Sequence, residues 1–114
     1  MSTPEGKVKL FIDNRMKVWY PYSIKYSPPG IGRFGKNGMP DRIWFIRAHE
    51  LFCIPVAIEA KAEGKEATQL QMHMLLKLKS LGCIAAVVDG KDEEHMLKIK
   101  EEIDKRIRMI QDAL

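Results

Sequence analysis

Three residues in this chain have the types and spacing for phosphate chemistry: Asp41, Glu59 and Lys61. Asp41 ends the segment Gly38-Met39-Pro40-Asp41, and Glu59 and Lys61 flank Ala60 in an otherwise apolar run. Side chains alternate across a strand, so Glu59 and Lys61 share one face, while Val56, Ile58 and Ala60 fill the other against a helix. If the strand that begins at Asp41 is a neighbour, Asp41 and Glu59 can converge on one divalent cation. Hard carboxylate oxygens suit Mg2+ or Mn2+. Lys61 beside them could orient or deprotonate a water for attack on phosphorus, and the metal would offset the charge developing on the phosphate. The competing reading is an ion pair on a half-exposed strand, because a Glu-x-Lys tripeptide is common.

The elements that must position these residues are legible from local signals. Thr3-Pro4-Glu5 predicts a helix start, with Thr3 as cap and Pro4 at the first position, and Pro21 ends that helix near Trp19. Val8, Phe11, Ile12 and Met16 give its inner face. Tyr22 to Tyr26 predicts a short strand, residues 27 to 38 a breaker-rich loop, and Arg42 to Ile46 a second strand. Ala48-His49-Glu50 reads as a turn before a longer strand from Leu51 to Ala62, in which Pro55 argues weakly against a central position. Thr68 caps a helix to about Leu81, with Leu70, Met74, Leu78 and Leu81 on one face and Gly82 as its stop. Ile84 to Val88 is a buried strand. Asp92 to about Ala113 is a charged helix with Leu97, Ile103, Ile107 and Ile110 inward. The order is α-β-β-β-α-β-α, an α/β fold without repeat or linker.

Length and composition set the bounds. The 114 residues make one domain, residues 1 to 114, with 46% hydrophobic and 30% charged residues. No apolar run reaches the length of a membrane span, and the first residues lack a signal-peptide pattern. Cys53 and Cys83 lie in apolar runs and are expected to be buried free thiols of a reducing compartment. His49, His73 and His95 have no zinc-ligand spacing. The net charge of +4 is unevenly placed. Between Asn14 and Arg47 stand Arg15, Lys17, Lys25, Arg33, Lys36, Arg42 and Arg47, with Asp41 the sole acid. Trp19, Tyr20, Tyr22, Tyr26 and Phe34 interleave with them. Such a span suits a polyanion, with phosphates on the cations and bases or sugars on the rings. It is equally what a solvated surface with a few core aromatics would show.

Gly38-x-Pro40-Asp41 followed by Glu59-x-Lys61 resembles the signature of the PD-(D/E)XK nuclease superfamily. More narrowly it is similar to the stand-alone VRR-NUC domain, the virus-type replication-repair nuclease. Thr68 and Gln71 fit that family's Ser/Thr-x-x-Gln, which opens the helix after the Glu-x-Lys strand. Gly82 with Ile84 to Val88, and Pro4-Glu5 on the first helix, fit it too. The resemblance spans roughly residues 4 to 90. It implies a restriction-endonuclease-like core, a mixed sheet flanked by helices, and a Mg2+- or Mn2+-dependent endonuclease. It implies Asp41, Glu59 and the Ala60 carbonyl as metal ligands, with Glu5 reaching in from the first helix. Lys61 would be the catalytic lysine and Gln71 a support. Arg33, Lys36, Arg42, Lys25 and Lys65 are the expected DNA contacts.

The same resemblance implies a homodimer acting on branched DNA, especially four-way junctions, because paired symmetric cuts take two sites and one chain has one. The aromatic group Trp19, Tyr20 and Tyr22 offers material for that interface. A cytoplasmic location, in a bacterium or a phage-infected host, is implied by the family alone. Alternatives are a flap, nicking or restriction-type nuclease, a non-catalytic nucleic-acid-binding module, and an unrelated small α/β binding protein.

Overall fold

The computed structural model describes residues 3 to 27 and 38 to 114. Among the described residues three helices and four strands follow in the predicted order: α1 (Pro4–Trp19), β1 (Ile24–Tyr26), β2 (Arg42–His49), β3 (Phe52–Lys61), α2 (Gln69–Ser80), β4 (Ile84–Asp89) and α3 (Glu93–Ala113). The helix ends are set locally. Thr3 Oγ1 accepts from the Gly6 N–H at 2.9 Å, and Pro4, which has no N–H to lose, starts α1. Thr68 and Gln71 close a reciprocal capping box at α2. Gly82, at a φ of 95°, follows the α2 C-cap in the left-handed conformation.

The four strands form one sheet in the order β1-β2-β3-β4. β1, β2 and β3 pair antiparallel, and β4 lies parallel to β3, with α2 as the crossover that parallel pairing requires. β3 is therefore central. Pro55 is tolerated there because β4 begins to pair only at Val56, one residue later.

The sheet separates two apolar layers. Val56, Ile58 and Ala60 of β3 are fully buried on one face with Trp44 and Ile46 of β2, against Val8, Ile12 and Met16 of α1 and Met96, Ile99 and Ile103 of α3. On the other face Ala57 and Ala85 pack on Leu75 of α2, with Ile43, Leu78 and Val87 around them. Glu59 follows Ala57 by two positions and shares this second face.

Several expectations need correction. β2 runs through Ala48 and His49, where the sequence predicts a turn; the turn is Glu50-Leu51, and the register shifts between Arg47 and His49. The buried residue of α2 is Leu75, whereas Leu70 and Leu81 are exposed. Leu70 lies about 140° round the helix from Leu75, and Leu81 falls at the cap. In α3 the stripe runs back from Ile103 through Ile99 to Met96, which leaves Leu97 one position out of phase and half-exposed. The thiols are free but not buried: Cys53 is exposed and Cys83 half-buried. Cys53 stands on β3 before β4 has begun to pair.

Candidate active site

The strand register brings the two carboxylates together. Arg42 pairs with Ile58 across β2 and β3, so the next residue outward, Asp41, stands opposite Glu59. β2 has ended there, and the Asp41 side chain takes over its pairing role: Oδ2 accepts from the Ala60 N–H at 3.3 Å. The N–H and C=O of one strand residue point the same way, so the Ala60 carbonyl also faces the open side beyond the end of β2. Asp41 is held by the segment before it. Gly38 has a φ of 78°, and a Cβ on it would come within 2.6 Å of the Leu70 carbonyl oxygen in α2. Pro40 is fully buried. Glycine is thus needed both for its backbone angle and for the close approach to α2.

Glu59 is 1% exposed, the one charged residue among the buried positions described. Burial, a hydrogen bond shared with Asp41, and the negative charges of Asp41 and Glu5 push its carboxyl up to about 9, against an opposing pull from Lys61. Glu59 is therefore protonated at neutral pH in the metal-free protein. Its Oε1 is buried without a hydrogen-bond partner among the described residues. An uncompensated buried oxygen beside a second carboxylate is costly to the fold. This donor set fits a hard divalent cation: two carboxylates, one with an unused oxygen, and the Ala60 backbone carbonyl turned to the same side. Among the described residues no three His, Cys, Asp or Glu side chains converge tightly enough to hold a metal by themselves.

Glu5, on α1, lies 3.4 Å from the Lys9 ammonium, and its negative charge adds to the upward push on Glu59. Lys61 is half-buried at the end of β3, and its carbonyl accepts from the Gly90 N–H at 2.9 Å. Gln71 is occupied otherwise than expected: its Oε1 accepts from the Thr68 N–H at 2.9 Å in the capping box. It braces α2, and no bond from it to the carboxylates is seen.

Among the expected DNA contacts, Arg42 and Lys25 both bond to Asp13 of α1. Arg42 Nε donates at 2.9 Å to Oδ1, and Lys25 Nζ at 3.1 Å to Oδ2. Their charge is partly neutralised, and Arg42 ties β2 to α1 rather than standing free. Lys65 is exposed in the loop after β3. Arg33 and Lys36 lie outside the described residues.

Sequence reasoning missed Asp13 and Lys9. The Lys9 Nζ stands 3.4 Å from Glu5 Oε2 and 3.9 Å from Asp41 Oδ1. Its position four residues after Glu5, next to the buried Val8, was a signal for it.

Tyr20 is also placed otherwise than as a free interface residue. It packs against the core, and its hydroxyl donates to Asp104 Oδ1 of α3 at 2.7 Å. Trp19 likewise packs against the core, while Tyr22 is 96% exposed.

No family model matches the sequence, and no curated protein matches it significantly. Comparison of folds does find a counterpart. A solved structure described as a VRR_NUC domain superposes with a TM-score of 0.66 at 17% identity, over 88% of this chain and 97% of that one. With three helices around a mixed four-stranded sheet among its described residues, the chain has the VRR-NUC fold, a restriction-endonuclease-like α/β core.

Proposed function

We propose that the protein is a divalent-metal-dependent DNA endonuclease. The observation that carries this reading is the buried Glu59, with an unpartnered oxygen, set against Asp41 and two residues from Lys61. Asp41, Glu59 and the Ala60 carbonyl would hold Mg2+ or Mn2+. Such an ion supplies positive charge where negative charge develops on the phosphate and makes water more acidic. Lys61, on the Glu59 side of the strand, orients the attacking water and can take its proton. Glu5 contributes negative charge from α1, and Gln71 keeps the start of α2 in place behind Gly38. Arg33, Lys36 and Lys65 hold backbone phosphates, and Arg42 and Lys25 join them to the extent that phosphate displaces Asp13.

The finer reading is a homodimer that cuts four-way junctions. It is supported by the need for two sites in paired cleavage, and by apolar surface that the described residues leave uncovered. Ile24 and Tyr26 of β1 and Phe45 of β2 share one sheet face, all exposed, with Tyr22 just before them. Of Trp19, Tyr20 and Tyr22, Tyr22 is the one exposed enough to serve an interface, beside Tyr26 and Phe45. Incubation with labelled four-way junction, flap and linear duplex, each with Mg2+, with Mn2+ and with chelator, tests the activity. Light scattering at micromolar concentration tests assembly, with about twice the 13.1 kDa chain mass expected. A monomer that cuts flaps and ignores junctions would favour a single-cut nuclease. Binding without any cleavage would leave a nucleic-acid-binding module.

A further inference from the structure

Lys9 is unused by the chemistry above, yet it bridges two carboxylates from two elements. Its ammonium lies 3.4 Å from Glu5 on its own helix and 3.9 Å from Asp41 at the start of β2. The two oxygens of Asp41 are divided: Oδ2 faces the Ala60 N–H, and Oδ1 faces Lys9. A surface lysine paired only along its helix would do little. One that reaches across to a second carboxylate does what a bridging cation does. Glu5 is thereby held to Lys9 instead of converging with Asp41 and Glu59, which agrees with the lack of a three-carboxylate cluster among the described residues.

We propose that Lys9 is a built-in cation of the site: its ammonium fills the Glu5 side of Asp41, so that the site takes a single divalent ion, between Asp41 and Glu59. Glu5 then acts as the anchor of Lys9 and not as a metal ligand. This rests on the metal-dependent reading above. Charge bookkeeping agrees with it. When ionised, Glu5, Asp41 and Glu59 against Lys9 and Lys61 leave one net negative charge, which one divalent ion already reverses. A second ion would meet a positive site. Without Lys9 the same set carries two negative charges, and Glu5 and Asp41 Oδ1 become free donors.

The test is a calorimetric titration of the full chain with Mn2+ in the absence of DNA. Wild type should bind one Mn2+ per chain. Lys9→Met, which keeps the length and apolar stem but not the charge, should bind two. Glu5→Gln added to Lys9→Met should return the count to one, and Lys9→Arg should keep it at one. Two ions in the wild type, or one in Lys9→Met with unchanged affinity, would overturn the proposal and leave the metal site standing. No Mn2+ bound by the wild type would overturn the metal-dependent reading itself, and the proposal with it.

Discussion

Glu59→Gln should stabilise the metal-free protein, and the gain should grow with pH. In the fold, burial and then Asp41 raise the Glu59 carboxyl from its ordinary 4.5 to about 9. Between those values the folded chain holds a proton that the unfolded chain has released. The stability that Glu59 contributes is therefore fully present below its ordinary value and is lost as pH rises towards 9. At pH 7 the folded carboxyl has been kept protonated across two and a half pH units. At about 1.4 kcal/mol per unit this costs about 3 to 4 kcal/mol. Glutamine is neutral in both states and nearly isosteric, and its amide can donate to Asp41 as the protonated acid does. Most of that cost should be recovered, an increase of about 10 °C in Tm for a domain of this size. The assay is thermal unfolding in chelator at pH 4.5, 7 and 8.5. The expected gain is near zero at pH 4.5 and largest at pH 8.5. Mg2+ should stabilise wild type at high pH and leave Glu59→Gln unchanged. Equal effects at pH 4.5 and 8.5, or a loss at both, would refute the claim that the fold holds Glu59 as a neutral acid.

Further predictions concern the frame of the site and its surface. Gly38→Ala should cost more than about 2 kcal/mol, since it adds a positive-φ penalty to a clash with the Leu70 backbone. Gly64→Ala, at a φ of 82° but with open space around it, should cost only about 1 kcal/mol, both variants being compared with wild type by urea titration. Tyr20→Phe should cost about 1 kcal/mol by removing the donor to Asp104. Burial by itself would raise the Asp104 carboxyl, but hydrogen bonds from Lys100 and Tyr20 and the charges of Lys100 and Arg108 hold it below its ordinary 3.8. Its share of stability is present above that value and disappears as pH falls below it, so the Tyr20→Phe difference should shrink in acid unfolding. Replacing Arg33 and Lys36 with alanine should weaken binding to every DNA substrate alike and lower the salt slope by about one per lost phosphate contact. A loss confined to one sequence with an unchanged slope would contradict phosphate contact.

The element order was legible because its signals are local. Thr3-Pro4, Thr68 with Gln71, and Gly82 fix helix ends through contacts within a few residues, and the structure keeps each of them. The carboxylate pair was legible because period-two alternation and one strand register suffice to place Asp41 opposite Glu59. What failed depends on tertiary neighbours. Which leucines of α2 face inward is decided by where Ala57 and Ala85 lie beneath it, and Leu75 meets them while Leu70 does not. Cys53 looked buried in its apolar run, but β4 does not extend beside it. Lys9 and Asp13 carry no motif of their own; each is recruited because α1 crosses the sheet next to Asp41 and Arg42. Gln71 matched the expected position, but its amide oxygen serves the helix start.

The central claim is that Asp41 and Glu59 hold a divalent ion beside Lys61 for phosphodiester cleavage. The most direct measurement sets wild type, Asp41→Ala and Lys61→Ala against a labelled four-way junction, with Mg2+ and with chelator, and measures Mn2+ affinity for the same three proteins. Wild type should cut only with metal. Asp41→Ala should remain folded, bind DNA and lose both metal and cleavage, while Lys61→Ala should bind Mn2+ and not cut. Full cleavage by either variant, or by wild type in chelator, would contradict the account.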